Sequence, residues 1–340
     1  MSRVAVLGAG SWGTALAVLL AESGHEVRLW GRDRDQLALL ERDRENRKFL
    51  AGITLPAGIK VQPELEEALA HADAATFVVP SHALRAVATD VAKRGAVGLS
   101  VCATKGLELE TLERPTQILA ETLGGDVVAL VGPSHAEEVS RGVPTSVVAA
   151  AEDDARAREV QRLFSTARFR VYTNTDVAGC EYGAALKNVI AIAAGVCDGL
   201  GYGDNTKGAL LTRGLAEIAR LGVALGGRRE TFFGLTGMGD LVTTAISRHS
   251  RNRGVGERLG RGESLEQITR SMVMVAEGIR TARAALESAR RHGVDLPITE
   301  QVCAILVDGK SPRQALETLM SRELKSEEWK GGAAVVTPES

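Results

Sequence analysis

The sequence predicts an α/β protein: a doubly wound, mostly parallel sheet in the first half of the chain, followed by an all-helical second half. Three observations predict it. A short continuous apolar run, residues 4–7, leads directly into Gly8-Ala9-Gly10-Ser11-Trp12-Gly13 and then into Ala15, Leu16, Leu19 and Leu20 at helical spacing. Short β-rich runs recur at 27–30, 75–79, 99–103, 127–131 and 145–150, with helix-compatible segments between several of them, as parallel crossovers require. After a last strand at 169–172 the character changes near residue 175, and long alanine- and leucine-rich segments replace the β-branched runs.

The opening glycines stand where a dinucleotide site needs them. Gly8 permits a tight turn, Gly10 lets the backbone approach a pyrophosphate, and Gly13 lets the helix pack closely, with the phosphates at the helix N-terminus. In the second half, helices are expected at 176–197, 207–225, 265–270, 277–292, 297–308 and 311–320, with glycine-rich loops at 199–208 and 226–239. The expected division is a dinucleotide-binding domain over 1–175, a helical substrate domain over 176–325 and a mobile tail over 326–340.

Composition narrows the function classes. At 340 residues, 44% hydrophobic and 25% charged, the chain is long enough for two domains. A net charge of -2 speaks against nucleic acid or a membrane surface as partner, so any anion site must be a local cluster. Cys102, Cys180, Cys197 and Cys303 show no CxxC spacing, which points away from metal sites and disulfides and toward reduced core cysteines in a cytoplasmic protein. The first strand begins too close to Met1 for a signal peptide, and the longest apolar run, 189–197, is too short to span a bilayer.

In an open α/β sheet, ligands bind beyond the carboxyl ends of the strands. Lys105 is the only lysine among the strand-end loops, and it reads either as a surface charge or as a group reaching a phosphate or carbonyl oxygen. At the end of the second strand, Gly31-Arg32 stands where an acid would hold the ribose of NAD, which favours NADP as the preferred cofactor. Asp33 restores the NAD reading if the register slips by one residue. Lys187 interrupts a helix apolar on every face, either snorkelling at a domain boundary or presenting a desolvated ammonium to a cleft. Asp240 ends the flexible loop Thr236-Gly237-Met238-Gly239 as a partner for Lys187 or as an Asx cap. Ser250-Arg251-Asn252-Arg253 offers several donors for a phosphate, or a solvated face. His82 and His135 follow strand-end loops and read as structural.

Gly8 to Ala17, Thr104-Lys105-Gly106, Gly132-Pro133-Ser134, Leu186-Lys187-Asn188 and Gly237-Met238-Gly239-Asp240-Leu241 together resemble the bacterial NAD(P)-dependent glycerol-3-phosphate dehydrogenases. Ser250-Arg251-Asn252 and Val275-Ala276-Glu277-Gly278 extend the resemblance from about residue 3 to about residue 325. It implies a Rossmann domain followed by a helical domain similar to that of 6-phosphogluconate dehydrogenase, with substrate between them. Ser11, Trp12, Arg32, Asp33, Ala136, Arg251, Val275 and Glu277 would then lie along the cofactor, and Lys105 would touch both cofactor and substrate. Gly132, Ser134, Lys187, Asp240, Ser250, Arg251 and Asn252 would contact the substrate, with Lys187 as proton-transfer group and Lys105 and Asp240 assisting it. The implied reaction is reversible reduction of dihydroxyacetone phosphate to sn-glycerol 3-phosphate without a metal, supplying glycerophospholipid synthesis in the cytoplasm, with a homodimer as the family's assembly. Two alternatives share the sequence features: a 3-hydroxyacid or opine dehydrogenase of the same two-domain plan, and a non-catalytic NADP-sensing protein.

Overall fold

The computed structural model describes residues 1–95, 97–324, 326 and 327, so all but the first two residues of the expected mobile tail lie outside the described residues. Eight strands form one sheet: β1 Arg3–Leu7, β2 Glu26–Trp30, β3 Ile59–Gln62, β4 Ala74–Phe77, β5 Leu99–Cys102, β6 Val127–Val131, β7 Thr145–Ala150 and β8 Phe169–Asn174. They are ordered β3-β2-β1-β4-β5-β6-β7-β8. The order reverses between β1 and β4, which opens a crevice at the carboxyl ends of these strands. β4, β5 and β6 are buried along their whole length, as strands covered on both faces must be, and this explains their continuous apolar runs.

Two features of the sheet escape the apolar periodicity. β3 is a four-residue edge strand, Ile-Lys-Val-Gln, too short and too polar to register as a run. β7 runs antiparallel to β6, with Ala129 opposite Ala150 and Val131 opposite Val148. Only the single-turn helix Ala136–Val139 lies between these two strands, and the chain turns back instead of crossing over.

The second half is built around the helix Val177–Gly199, in which every residue from 179 to 197 is buried. Lys187 and Asn188 break its apolar run in sequence, but the whole helix has the length and apolarity to cross a membrane; here it is the core of the folded chain. Against it lies the helix Arg251–Gly260, which the sequence patterning does not reveal because Gly254 and Gly256 lower its propensity. Close packing overrides that deficit. A Cβ on Gly195 would stand 1.9 Å from the Arg253 carbonyl oxygen, and one on Gly256 would stand 1.9 Å from that of Ile192. Gly199 and Gly260, each one helical turn further on, make the same approach. The expected loop at 226–239 likewise contains short helical turns at Arg229–Phe233 and Leu235–Gly239, followed by a helix at Asp240–Ile246. The loop expected at 199–208 is shorter, because the next helix already starts at Asp204.

Two buried carboxylates fix the core helix, one against the sheet half and one at its own start. Glu181 on the core helix accepts from the backbone N–H of Thr116 at 2.9 Å, at the start of the helix Pro115–Leu123 beside the sheet, and pairs with Arg114. Asp176 accepts from Gly179 N at 2.9 Å, Arg228 N at 2.7 Å and Thr231 Oγ1 at 2.6 Å, which fixes where the core helix begins.

Adding one methyl at either of two glycines in Arg251–Gly260 should have opposite effects on stability. Gly256→Ala forces the two helices apart and should lower stability by about 1–3 kcal/mol. Gly254→Ala meets no neighbour within 4 Å and should raise stability by about 0.5–1 kcal/mol. Urea unfolding followed by circular dichroism measures both; shifts of the same sign would show that helix propensity, not backbone contact, governs this pair.

Candidate active site

At the crevice between β1 and β4 the fingerprint loop has the form its glycines dictate. Gly8 has φ +132°, and a Cβ there would lie 2.3 Å from the Val78 carbonyl oxygen. A Cβ on Gly13 would lie 1.8 Å from the carbonyl oxygen of Gly8, so the helix Ser11–Glu22 packs directly on the turn. Around Gly10 there is open space, and this residue caps the helix with no side chain accepting from its first N–H groups. Open space and free N–H groups together suit a pyrophosphate. The loop is held from behind: the carbonyl oxygen of Ala9 accepts from Gln36 Nε2 at 2.8 Å and Asn46 Nδ2 at 3.0 Å, and Asn46 also donates to Thr14 Oγ1. Gln36 and Asn46 carry no motif that would single them out in the sequence.

Arg32 and Asp33 follow β2 at one end of the cleft. Asp33 caps the helix Arg34–Asp43 by accepting from Gln36 N at 3.0 Å and faces Lys48 Nζ at 3.3 Å. The Gln36 hydrogen bond and the Lys48 ammonium hold its carboxyl below the usual range. Arg32 has no ion-pair partner among the described residues, and its side chain is exposed. Trp12 turns toward the core, its ring centroid 6.5 Å from that of Phe169.

At the other end, two lysines meet one carboxylate. Lys105, on the loop after β5, donates to Asp240 Oδ2 at 2.9 Å and to the carbonyl oxygen of Gly132 at 2.7 Å. Lys187, from the core helix, donates to Asp240 Oδ1 at 2.9 Å and to Thr244 Oγ1 at 2.6 Å. Asp240 is 1% exposed and Lys187 is 5% exposed. Burial alone would push the Asp240 carboxyl up, but the two ammonium groups outweigh it and hold the group below its ordinary value. Burial pulls the Lys187 ammonium down to about 8, opposed by the Asp240 charge and reinforced by the Lys105 charge.

Asp240 is neither the end of a flexible loop nor an Asx cap. The preceding segment, Leu235–Gly239, is a π-helical turn packed closely on the backbone before it, with a Cβ on Gly237 falling 2.0 Å from the Phe232 carbonyl oxygen. Asp240 is therefore the first residue of its helix, and its carboxylate is free to reach across to the lysines. Ser134 Oγ donates to the carbonyl oxygen of Gly132 at 2.9 Å, which orients the hydroxyl beside Lys105. The left-handed φ of Gly132, +137°, and its close approach to Val147 leave no room for another residue.

The donor cluster at 250–253 divides. Ser250 caps the helix Arg251–Gly260 by accepting from Arg253 N, and Arg253 turns away to Asp198. Arg251 stays in the cleft, donating to the carbonyl oxygen of Val275 at 3.2 Å. Asn252 donates to Asn188 Oδ1 and accepts from Gly278 N, both at 2.9 Å, which orients its amide and leaves one N–H unused. Glu277 accepts from Ser81 N at 3.0 Å and Ser81 Oγ at 2.7 Å, joining the helical half to the sheet half across the cleft. Ala136 begins the short helix after β6.

All the expected site residues except Gly13 and Gly132 line one cleft of about 500 Å3 between the two halves, and these two act through packing and through a carbonyl. Thr244, Asn188, His135 and His249 are among the cleft residues that lie outside the sequence-based set. Thr244 follows Asp240 by one helical turn, a spacing that could have identified it. His135 and His249 have ring centroids 6.1 Å apart, and His135 Nε2 is buried with no hydrogen-bond partner among the described residues.

A family model described as the N-terminus of NAD-dependent glycerol-3-phosphate dehydrogenase matches residues 3–157, and the corresponding C-terminus model matches residues 176–317. The chain belongs to this family. A glycerol-3-phosphate dehydrogenase (NAD(P)+) of Pelodictyon phaeoclathratiforme is 49% identical to this dehydrogenase over 330 residues, 96% of this chain and 99% of that protein. The corresponding protein of Geobacillus kaustophilus is 49% identical over 332 residues, 96% of each chain. A crystal structure of glycerol-3-phosphate dehydrogenase from Coxiella burnetii superimposes with a TM-score of 0.91 at 35% identity, covering 94% of this chain and 99% of that one. The dehydrogenase therefore has a Rossmann-type domain and a helical domain, and uses NAD(P). The hydroxyacid or opine dehydrogenase and sensor alternatives are set aside.

Proposed function

We infer that Lys187 is the proton-transfer group of this NAD(P)-dependent glycerol-3-phosphate dehydrogenase, acting on the C2 oxygen of dihydroxyacetone phosphate. The observation that carries this reading is a donor count. An ammonium has three N–H donors; Asp240 and Thr244 take two from Lys187, and the third is left to the cleft. When bound, the reduced nicotinamide supplies the hydride to C2. Lys187 then meets the negative charge developing on the carbonyl oxygen with a proton, and in the reverse direction accepts it from the hydroxyl. Lys105, held by Gly132 and Asp240, adds a second positive charge against that oxygen or the phosphate. Arg251 and the remaining N–H of Asn252 hold the phosphate, with Ser250 and Ser134 beside them.

The exposed guanidinium of Arg32, without an ion-pair partner among the described residues, favours NADPH over NADH. Gly8, Gly10, Ser11, Trp12 and Gly13 form the pyrophosphate end, and Ala136, Val275 and Glu277 the wall beside it. We place the domain boundary at 175, between the end of β8 and the core helix. The product supplies glycerophospholipid synthesis. Four buried free cysteines suit a reducing cytoplasm, and a homodimer is the assembly that the family resemblance favours.

Because the ammonium is the acid, kcat/KM for ketone reduction should decline as pH rises through about 8, and that for glycerol 3-phosphate oxidation should rise over the same range. Asp240→Asn removes the countercharge that opposes burial, so both limbs should move to lower pH; limbs that stay in place would detach Asp240 from the titration. Lys187→Ala should lower kcat by roughly 100- to 10,000-fold while NADPH binding, followed by fluorescence titration, survives. Near-normal turnover would remove Lys187 from the mechanism. In Arg251→Ala, KM for dihydroxyacetone phosphate should rise well before kcat falls, and an unchanged KM would free Arg251 from the phosphate.

A further inference from the structure

We propose that Lys48 is a cofactor-specificity residue, one that both masks Asp33 and joins Arg32 in a two-cation seat for the 2′-phosphate of NADP; this rests on the NADP preference inferred above. An acid at the end of the second strand ordinarily holds the ribose 2′-hydroxyl of NAD and repels a 2′-phosphate. Asp33 stands there, lining the same cleft as the glycine loop, yet both of its oxygens are engaged. Oδ1 accepts from Gln36 N at 3.0 Å, and Oδ2 faces Lys48 Nζ at 3.3 Å.

Among the neighbouring cations, Arg32 adjoins Asp33 in the chain and Lys48 is the one that pairs with it, which puts these two beside the acid. Arg34 is paired with Glu64 at 2.6 Å, and Arg47 lies between Asp43 and Glu45. Lys48 lies with its Nζ 5.1 Å from the ring centroid of Phe49, and that ring lines the cleft. Phe49 thus holds the ammonium at the rim. The Lys48–Asp33 pair is about half exposed on both sides, 49% and 48%, so little is lost when Lys48 shifts from the carboxylate to a dianionic phosphate.

The charge balance gives the selectivity its direction. Arg32, Asp33 and Lys48 sum to +1, which complements a 2′-phosphate. With Lys48 replaced by a neutral residue the sum is zero and the carboxylate is unmasked. For NAD the same change removes nothing that the 2′-hydroxyl needs, because Asp33 still accepts a hydrogen bond.

The test is direct binding, without turnover. NADPH, NADH, adenosine 2′,5′-bisphosphate and 5′-AMP are titrated calorimetrically into the native enzyme, Lys48→Met, Asp33→Asn, the double variant and Arg32→Ala. Lys48→Met should weaken NADPH and adenosine 2′,5′-bisphosphate by on the order of tenfold, with changes below about twofold for NADH and 5′-AMP. In the Asp33→Asn background the penalty should shrink, because the unmasked repulsion is gone. Equal weakening of NADPH and NADH, or no weakening of either, overturns the role of Lys48. If Lys48→Met is silent while Arg32→Ala weakens NADPH, this proposal alone fails. If Arg32→Ala is silent as well, the assignment of the 2′-phosphate to the end of β2 fails with it.

Discussion

The Asp240 carboxylate, shared between Lys105 and Lys187, is the interaction on which the rest of the site depends. Lys105 comes from the sheet half, and Lys187 and Asp240 come from the helical half, so this one group positions both cations and spans the boundary between the halves. A buried charge without a partner is strongly destabilising, and here each charged group has one. The cluster nevertheless carries one more positive charge than negative. A phosphorylated ketone entering the cleft supplies the missing charge, so the same residues that hold the domains in register also discriminate in favour of an anionic substrate.

Keeping that carboxylate in place depends on backbones that nearly touch. Gly183 lets the core helix approach the turn before Asp240, because a Cβ there would lie 2.8 Å from the Thr236 carbonyl oxygen. Gly195 and Gly256 do the same for the helix that carries Arg251 and Asn252. From there a chain of amides, Asn188 to Asn252 to Gly278 N, fixes the start of the helix bearing Glu277, whose carboxylate returns to Ser81 beside the sheet. The small residues in the helical half are thus a positioning device: a larger side chain at any of these contacts would displace a polar group several residues away.

The sequence carried the parts of this design that rest on periodicity or on a strong local preference. The strand-glycine-helix order, the change from sheet to helices near 175 and the isolation of Lys187 in an apolar helix are all visible because burial demands them. What the sequence did not carry depends on tertiary partners. β3 is too short and polar to show a period, the reversal of β7 follows from a connection too short to cross over, and the helix at 251–260 forms against its own propensity because another helix packs on Gly256 and Gly260. Gln36, Asn46 and Thr244 are likewise ordinary polar residues until the fold brings them against Ala9, Thr14 and Lys187. Asp33 shows the converse, since its type alone suggested a ribose contact but not the cap on Gln36 N or the pairing with Lys48 that its neighbours add.

The two buried charges pull stability in opposite directions, and this explains why the cluster is built around an acid and two bases. Asp240 is held below its ordinary value, so it contributes stability at every pH above the unfolded carboxyl range and loses that contribution only in acid. Lys187 is lowered from 10.5 to about 8, so between those values the unfolded chain binds more protons than the folded one and stability rises with pH. At neutral pH Lys187 is therefore a strained resident, retained as an ammonium by Asp240 and made labile by burial. With the substrate phosphate seated as proposed, its charge would offset the Lys105 and Arg251 charges that weaken the Lys187 ammonium, and the proton would be held more firmly. On the proposed roles, anion recognition and proton supply would be one electrostatic event, centred on the Asp240 carboxylate that pairs with both lysines.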